Sequence, residues 1–388
     1  MIISFWIALF LVFYTFFGYG ILLYILVRIK RLLVRSKRKL YAFEELPSCT
    51  IIVAAYNEAD FIKEKIENTL ALNYPEEKLD IIFVTDGSSD NTPEIVAQYP
   101  LIKLLHSPLR LGKISAVHRS IQEVNTDLIV FTDANTFLNS DALVLMCRHY
   151  ADPKVGAVAG EKRVMIEESA DATAGEGFYW KYESKLKTWD SELHSVVGAA
   201  GELFSIRKDQ YEAVPSNSVL DDFMISMRIA EKGFVIVYEP DAFAQETSSA
   251  NVGEELKRKI RIAAGGIQSV IWLKSLLNPF KFPMLSFQYI SHRVLRWTIT
   301  PFLMILAVIL NLLIVIDGGT GLYVLLLVAQ LLFYFAAYLG KILEDRKVSV
   351  KLLFIPYYFC MMNYAVVAGL IRYFKGNQSV IWEKAVRK

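Results

Sequence analysis

Two kinds of apolar run punctuate this chain. The long kind covers residues 2–27, 298–316, 322–339 and 352–371, all free of Asp, Glu, Lys and Arg. Each is long enough to cross ~30 Å of hydrocarbon as a helix. The short kind is rich in β-branched and aromatic residues and stops at an aspartate: residues 80–86 read D-I-I-F-V-T-D and residues 127–133 read D-L-I-V-F-T-D. Runs like these match strands buried in a parallel sheet. Each delivers its closing carboxylate to the carboxyl edge, where open α/β sheets bind ligands. Strands are expected at 50–55, 81–85, 102–105, 128–132 and 155–159. Helices are expected at 59–70, 92–98 and 113–124, with a further one from an N-cap at Ser140 to residue 150. Strand–helix alternation implies a doubly wound α/β sheet. From 173 to 264 the rhythm is irregular, broken by Gly175, Gly177, Gly198 and Gly201, and a second binding half is expected there. Residues 267–297 are apolar and sparsely basic, with Trp272, Trp297, Pro279 and Pro283, a pattern that suits a membrane surface.

Composition agrees with this division. Of 388 residues 54% are hydrophobic and 21% charged, with mean hydropathy +0.34. That is too apolar for an ordinary soluble enzyme and too charged for a protein wholly in the bilayer, so the charges are segregated. The first apolar run lacks a preceding basic region, which argues against a cleaved signal. Its basic cluster follows it, at Arg28, Lys30, Arg31, Arg35, Lys37, Arg38 and Lys39, and places the globular part in the cytoplasm. The loop at 317–321 has no basic residue and suits the outside, whereas 341–351 is basic and suits the cytoplasm. A complete fourth crossing would put Arg372, Lys375, Lys384, Arg387 and Lys388 outside, against the charge rule. Either the last apolar run does not cross fully or the rule fails. Net charge is only +2, so no nucleic-acid partner is expected. Cys49, Cys147 and Cys360 are too few and too scattered for a disulfide framework or a zinc site.

Several rim segments carry chemistry. Tyr56-Asn57-Glu58 follows the first strand, where an aromatic face and a carboxylate can hold a base or ribose; a polar-capped helix start is the alternative. In Asp86-Gly87-Ser88-Ser89-Asp90 an Asx-type turn accounts for the last three residues but not for Asp86, which is placed to bind a nucleoside. Lys113 opens a helix, an unfavourable site for a cation unless an anion such as a diphosphate lies near; a solvated lysine is the alternative. Asp133-Ala134-Asn135 presents two oxygen ligands suited to Mg2+ or Mn2+. Asp221-Asp222 sits between apolar residues, where paired carboxylates have raised pKa values and serve as a general base; capping of the helix that follows is the alternative. Arg258 and Arg261 share a helix face and can clamp a diphosphate or face anionic lipid. The five histidines show no metal spacing, and Ser88 and Ser205 lack partners for a serine hydrolase.

The order of these motifs, with spans at both ends, resembles the family 2 membrane glycosyltransferases, which include the cellulose, hyaluronan and poly-N-acetylglucosamine synthases. The resemblance implies a GT-A fold in a cytoplasmic domain at 47–265. Flanking it would be a membrane helix at 1–28, interfacial helices at 266–297, membrane helices at 298–373 and a basic tail at 374–388. It implies that Tyr56, Glu58 and Asp86 hold uridine, that Lys113 lies near the diphosphate, and that Asp133 is the first acid of the family's D-x-D, with Asn135 at the second. Asp222 then matches the general base, with Asp221 in the preceding acidic position, and residues 198–201 match a small-residue loop near the acceptor. The family's Q-x-x-R-W becomes Arg258-Lys259-Ile260-Arg261-Ile262, keeping the arginine and losing the tryptophan. These matches imply inverting transfer from a UDP-sugar to a glycan or lipid-linked acceptor at the plasma membrane. The expected role is polysaccharide synthesis; the alternatives are non-processive glycosylation of a lipid and a catalytically silent subunit of an export complex. Partner subunits are not identified by the sequence.

Overall fold

The computed structural model of the chain describes residues 1–34, 39–165, 174–247, 252–346, 348 and 350–376. Arg35, Lys37, Arg38 and the basic tail beyond residue 376 lie outside the described residues. The chain begins with α1 (Ile2–Phe13) and α2 (Tyr19–Leu33), joined by a π-helical turn at Tyr14–Gly18 into one 32-residue apolar helix. The globular part then alternates: β1 (Cys49–Ala55), α3 (Ile62–Leu70), β2 (Leu79–Asp86), α4 (Thr92–Val96), β3 (Lys103–Ser107), α5 (Lys113–Ile121) and β4 (Leu128–Asp133). There follow β5 (Phe137–Leu138), α6 (Ala142–Cys147), β6 (Val155–Met165), α7 (Ala174–Leu193), β7 (Leu203–Arg207), α8 (Asp221–Glu231), β8 (Val235–Thr247) and α9 (Val252–Trp272). Last come α10 (Pro283–Tyr289), a second π turn at Ile290–Val294, α11 (Leu295–Trp297), α12 (Thr300–Ile316), α13 (Leu322–Asp345) and α14 (Lys351–Phe374).

One eight-stranded sheet of order β3-β2-β1-β4-β7-β6-β8-β5 organises the domain. Strands β3, β2, β1 and β4 are parallel, and the burial of β1, β2 and β4 explains their apolar runs. In register, Ala54 lies opposite Asp133 and Ala55 opposite Thr85, so Asp86 and Asp133 flank the end of β1. The rest of the sheet is mixed: β7 runs antiparallel to both β4 and β6. Because β7 starts at the rim, with Leu203 opposite Thr132, the loop preceding it is set beside Asp133. Two hydrophobic cores flank the sheet. One holds Ile52, Phe131, Phe204, Phe223 and Tyr289, the other Ile51, Phe83, Val130 and Met146.

Two local expectations change. Asp141, not Ser140, occupies the N-cap of α6; Ser140 instead lends its carbonyl to the Asn73 N–H at 2.8 Å, which ties the loop after α3 to this turn. The stretch read as irregular contains the 20-residue α7 and the 13-residue β8.

Among the described residues three helices, Ile2–Leu33, Leu322–Asp345 and Leu352–Phe374, are long and apolar enough to cross a membrane. Pro283–Trp297 and Thr300–Ile316 form a pair bent by 62° that counts as a fourth if taken as one span. α14 packs along α9, with Phe354, Tyr358 and Met361 clustered on Val252 and Leu256.

Candidate active site

Loop chemistry fixes the rim. Asn57 adopts φ 53°, a left-handed conformation that asparagine tolerates. Its side-chain oxygen accepts the Ser89 N–H at 2.8 Å. Asp90 accepts from the Thr92 N–H and hydroxyl with one oxygen and from the Ala59 N–H with the other. Ser88, Ser89 and Asp90 thus clasp the β1 and β2 loops together.

Asp86 has a different position. Its Oδ2 accepts the N–H groups of Leu111 at 2.8 Å and Gly112 at 2.6 Å. Its Oδ1 is buried with no hydrogen-bond partner, and the nearest cation, Arg119, is 3.8 Å away. Asp86 lines a small pocket with Tyr56, Arg110, Gly112 and Lys113. The Arg110 guanidinium lies 3.9 Å from the centroid of the Tyr56 ring, forming a flat cationic lid suited to an aromatic base or a phosphate. Glu58 is buried at 3% exposure and does not line this pocket; its carbonyl accepts the Phe61 and Ile62 N–H groups that start α3.

Lys113 spans the centre. Its Nζ is 2.6 Å from Asp133 Oδ1. Burial pulls its pKa down, but Asp133, Asp221 and Asp222 outweigh that and raise it above the usual lysine range. A Cβ built on Gly201 would lie 3.2 Å from Asp222 Oδ2 and 3.4 Å from Lys113 Nζ, so the absence of a side chain here lets the lysine and the carboxylate pack against the same backbone position. Asp221 faces a ≈ 300 Å³ cleft with Lys113, Thr132 and Gly201. Its neighbour Asp222 opens instead into a cavity of ≈ 1180 Å³. Asp222 Oδ1 accepts the Phe223 N–H at 2.8 Å. Burial, followed by the adjacent Asp221 charge, pushes its pKa up to about 7, where a carboxylate can take a proton at neutral pH.

The large cavity collects residues from distant segments. Arg258, Trp180, Trp297 and Lys162 line it beside Asp222, and α14 contributes Met362, Ala365 and Val366. Arg258 is held by Glu255 at 2.9 Å, and Lys162 by Glu202 at 2.6 Å and by Glu246. Lys162 and Arg258 hold the Glu202 carboxyl well below the usual range against its burial. Arg261 has no hydrogen bond or ion pair among the described residues. Burial lowers its pKa, with Arg258 and Arg372 adding to that and Asp221 and Asp222 opposing it.

The structure therefore brings together Tyr56, Asp86 and Lys113 in one pocket, with Asp133 and Asp221 beside Lys113. It sets Asp222 and Arg258 in another. Arg110, Lys162, Trp180 and Glu202 were not singled out from sequence. Arg110 had a signal, being a cation two residues before Gly112-Lys113 on a rim loop. The others had none, since only tertiary folding joins them. Among the described residues no three of His, Cys, Asp and Glu cluster to hold a metal alone. Asp133 can offer its second oxygen, Lys113 holding the first, with Asn135 two residues on. A single carboxylate with an amide suits a hard cation that is also ligated by phosphate.

Residues 50–214 match the glycosyl transferase family 2 profile. The poly-beta-1,6-N-acetyl-D-glucosamine synthase of Staphylococcus aureus (strain MSSA476) is 29% identical over 233 residues, covering 58% of this chain and 55% of that protein. The Staphylococcus epidermidis synthase of the same name is 24% identical over 292 residues, 73% of this chain and 69% of that one. The chain thus spans about half the length of the first of these relatives. Among solved structures, a mannosyltransferase from Pyrobaculum calidifontis, in complex with GDP-Man and Mn2+, superposes with a TM-score of 0.70 at 23% identity, over 96% of this chain and 99% of that one. The match to the glycosyl transferase family 2 profile thus falls on the mixed GT-A-like sheet, which is flanked by helices long and apolar enough to span a membrane.

Proposed function

We propose that the protein is a membrane-bound, inverting glycosyltransferase that moves a sugar from a UDP-sugar to an acceptor hydroxyl in polysaccharide synthesis, on the cytoplasmic face of the plasma membrane. The observation that carries this reading is that Lys113, from the rim pocket of Tyr56, Asp86 and Arg110, and Asp222, a carboxyl poised near neutral pH in a large cavity, both lie against Gly201. Poly-N-acetylglucosamine synthase relatives support the polysaccharide assignment.

Tyr56, Arg110 and Asp86 take the nucleoside, Asp86 through its unpartnered Oδ1. Lys113, Arg258 and Arg261 supply positive charge toward the diphosphate, and Asp221 keeps Lys113 charged and in place. Asp133 and Asn135 would hold Mg2+ or Mn2+ together with the diphosphate oxygens, as suits the Mn2+ carried by the structural neighbour; when bound, the cation neutralises charge developing on the leaving group. Asp222 accepts the proton of the acceptor hydroxyl as that oxygen attacks the anomeric carbon from the face opposite the diphosphate. The C–O bond to the diphosphate breaks as the new glycosidic bond forms, without a covalent enzyme intermediate.

A lipid-linked acceptor is the second reading, favoured by Met362, Ala365 and Val366, which bring an apolar helix to the cavity wall. The packing of α14 along α9 supports a last helix that lies against the catalytic domain instead of crossing outward, keeping Arg372 and Lys375 on the cytoplasmic side as the charge rule requires. The test is diphosphate release by the purified chain in lipid with a panel of nucleotide sugars, with and without Mg2+ or Mn2+. Release with a UDP-sugar supports the reading; no release with any donor overturns it.

A further inference from the structure

Ile262 stands where the family resemblance has a tryptophan, and it lines the large cavity without offering a flat face. Trp297 reaches the same cavity from a segment 35 positions further along the chain. Its indole meets Phe223, the residue after Asp222, edge-on with centroids 5.3 Å apart. Gly266 makes room for it: a Cβ there would lie 2.6 Å from the indole. Arg293 also lines the cavity, with its guanidinium carbon 5.7 Å from the Trp297 ring centroid.

Arg293 is held by a buried ionic chain that begins in the first membrane helix. The Tyr19 hydroxyl donates to Asp190, whose other oxygen lies 2.5 Å from His292 Nδ1. His292 Nε2 is 3.1 Å from Glu183, and the same carboxylate takes Arg293 at 2.8 Å and Arg296 at 3.0 Å. Asp190 and His292 are 0% exposed and Glu183 3%. Two π turns face each other here, with the Tyr14 and Ser291 hydroxyls 2.8 Å apart, and such turns gather at functional sites. Buried ionic chains are a poor source of stability; this one ends on a cavity-facing cation.

We propose that Trp297 is the acceptor platform of this chain, that a saccharide packs its apolar ring face on the cavity side of the indole with a hydroxyl on Arg293, and that the Tyr19–Asp190–His292–Glu183 chain positions Arg293. The proposal deepens the glycosyl-transfer reading and rests on it. A pyranose ring has a C–H face that suits an aromatic surface, and the guanidinium offers several fixed donors beside it. Trp297 thus supplies from another segment what Ile262 lacks.

The test uses the full chain in lipid nanodiscs. It compares donor KM with the KM for soluble N-acetylglucosamine and glucose oligosaccharides, and includes a glycolipid in vesicles. Trp297→Ala should raise the ratio of acceptor to donor KM about tenfold, and Trp297→Phe should recover most of that. Gly266→Ala, which displaces the indole without touching Arg293, should reproduce the Trp297→Ala ratio. His292→Gln should raise the ratio less, by loosening Arg293. A ratio within about twofold of wild type in Trp297→Ala, or equal rises in both KM values, overturns the platform. So does a defect seen with the glycolipid alone, or a wild-type chain that no soluble saccharide stimulates. Loss of donor turnover in the wild type would instead sink the glycosyl-transfer reading itself.

Discussion

The proposed donor pocket and the proposed acceptor cavity, whose Lys113 and Asp222 both lie against Gly201, are built in opposite ways. Strand ends and the loops after them make the donor pocket. Its key carboxylate is aimed by two backbone N–H groups, and its residues all come from one stretch of the chain, 54–116. The acceptor cavity takes its walls from β6, α7, the loop before β7, α8, α9, the α11 segment and α14, and its charged side chains are held by one another. Short-range backbone geometry fixes the first site; long-range ionic and aromatic contacts fix the second. Donor-side substitutions should therefore act locally, and acceptor-side ones should spread.

The largest expected effect is at Asp222. Asp222→Asn keeps the shape and the Phe223 N–H contact but removes the base, and transfer should fall about 10²–10⁴-fold with donor KM little altered, read by initial rates of glycoside formation. Asp133→Asn comes next. It removes the carboxylate that pairs with Lys113 and would meet the cation, so donor KM and the Mn2+ concentration for half-maximal rate should both rise, by about 10–100-fold. Asp86→Asn should weaken donor binding by about 1–3 kcal/mol, because an amide oxygen still accepts from Leu111 and Gly112 but the charge and the free acceptor facing the nucleoside are altered. Calorimetry with UDP reads this, and equal UDP affinity in the variant would remove Asp86 from the donor site. The smallest effect belongs to Lys103→Ala, which breaks an ion pair with Glu123 whose side chains are 50% and 49% exposed; transfer and melting temperature should stay near wild type, within about 0.5 kcal/mol.

The same contrast explains what the amino-acid sequence could reveal. β1, β2 and β4 were legible because burial on both faces demands unbroken apolar runs, and Asp86 and Asp133 because those runs end on them. α7 was missed because Glu183, Lys187 and Asp190 lie on its buried face, and polar residues there erase the helical alternation. The antiparallel β7 was hidden for another reason: direction in a sheet is set by where the connecting chain returns, not by residues within the strand. Ser140 carries a capping side chain, but α6 starts one residue later, at the N-cap Asp141, while the Ser140 carbonyl accepts from Asn73. Arg258 was legible as a cation, but its pairing with Glu255 and its place beside Lys162 depend on segments that only folding brings together. Trp297 could be seen only as an aromatic of an apolar stretch, since its contact with Phe223 spans 74 positions.

In the proposed mechanism Asp222 takes the acceptor proton while the donor site works independently of it. The most direct measurement is the pH dependence of kcat/KM for transfer, set beside that of donor-only diphosphate release. Burial and Asp221 raise the Asp222 pKa to about 7, and a base acts only when ionised. Transfer should therefore decline about tenfold per unit as pH falls below about 7, while donor-only release shows no such limb and Asp222→Asn loses it from transfer. A transfer limb that persists unchanged in Asp222→Asn, or one shared equally by donor-only release, would contradict the account.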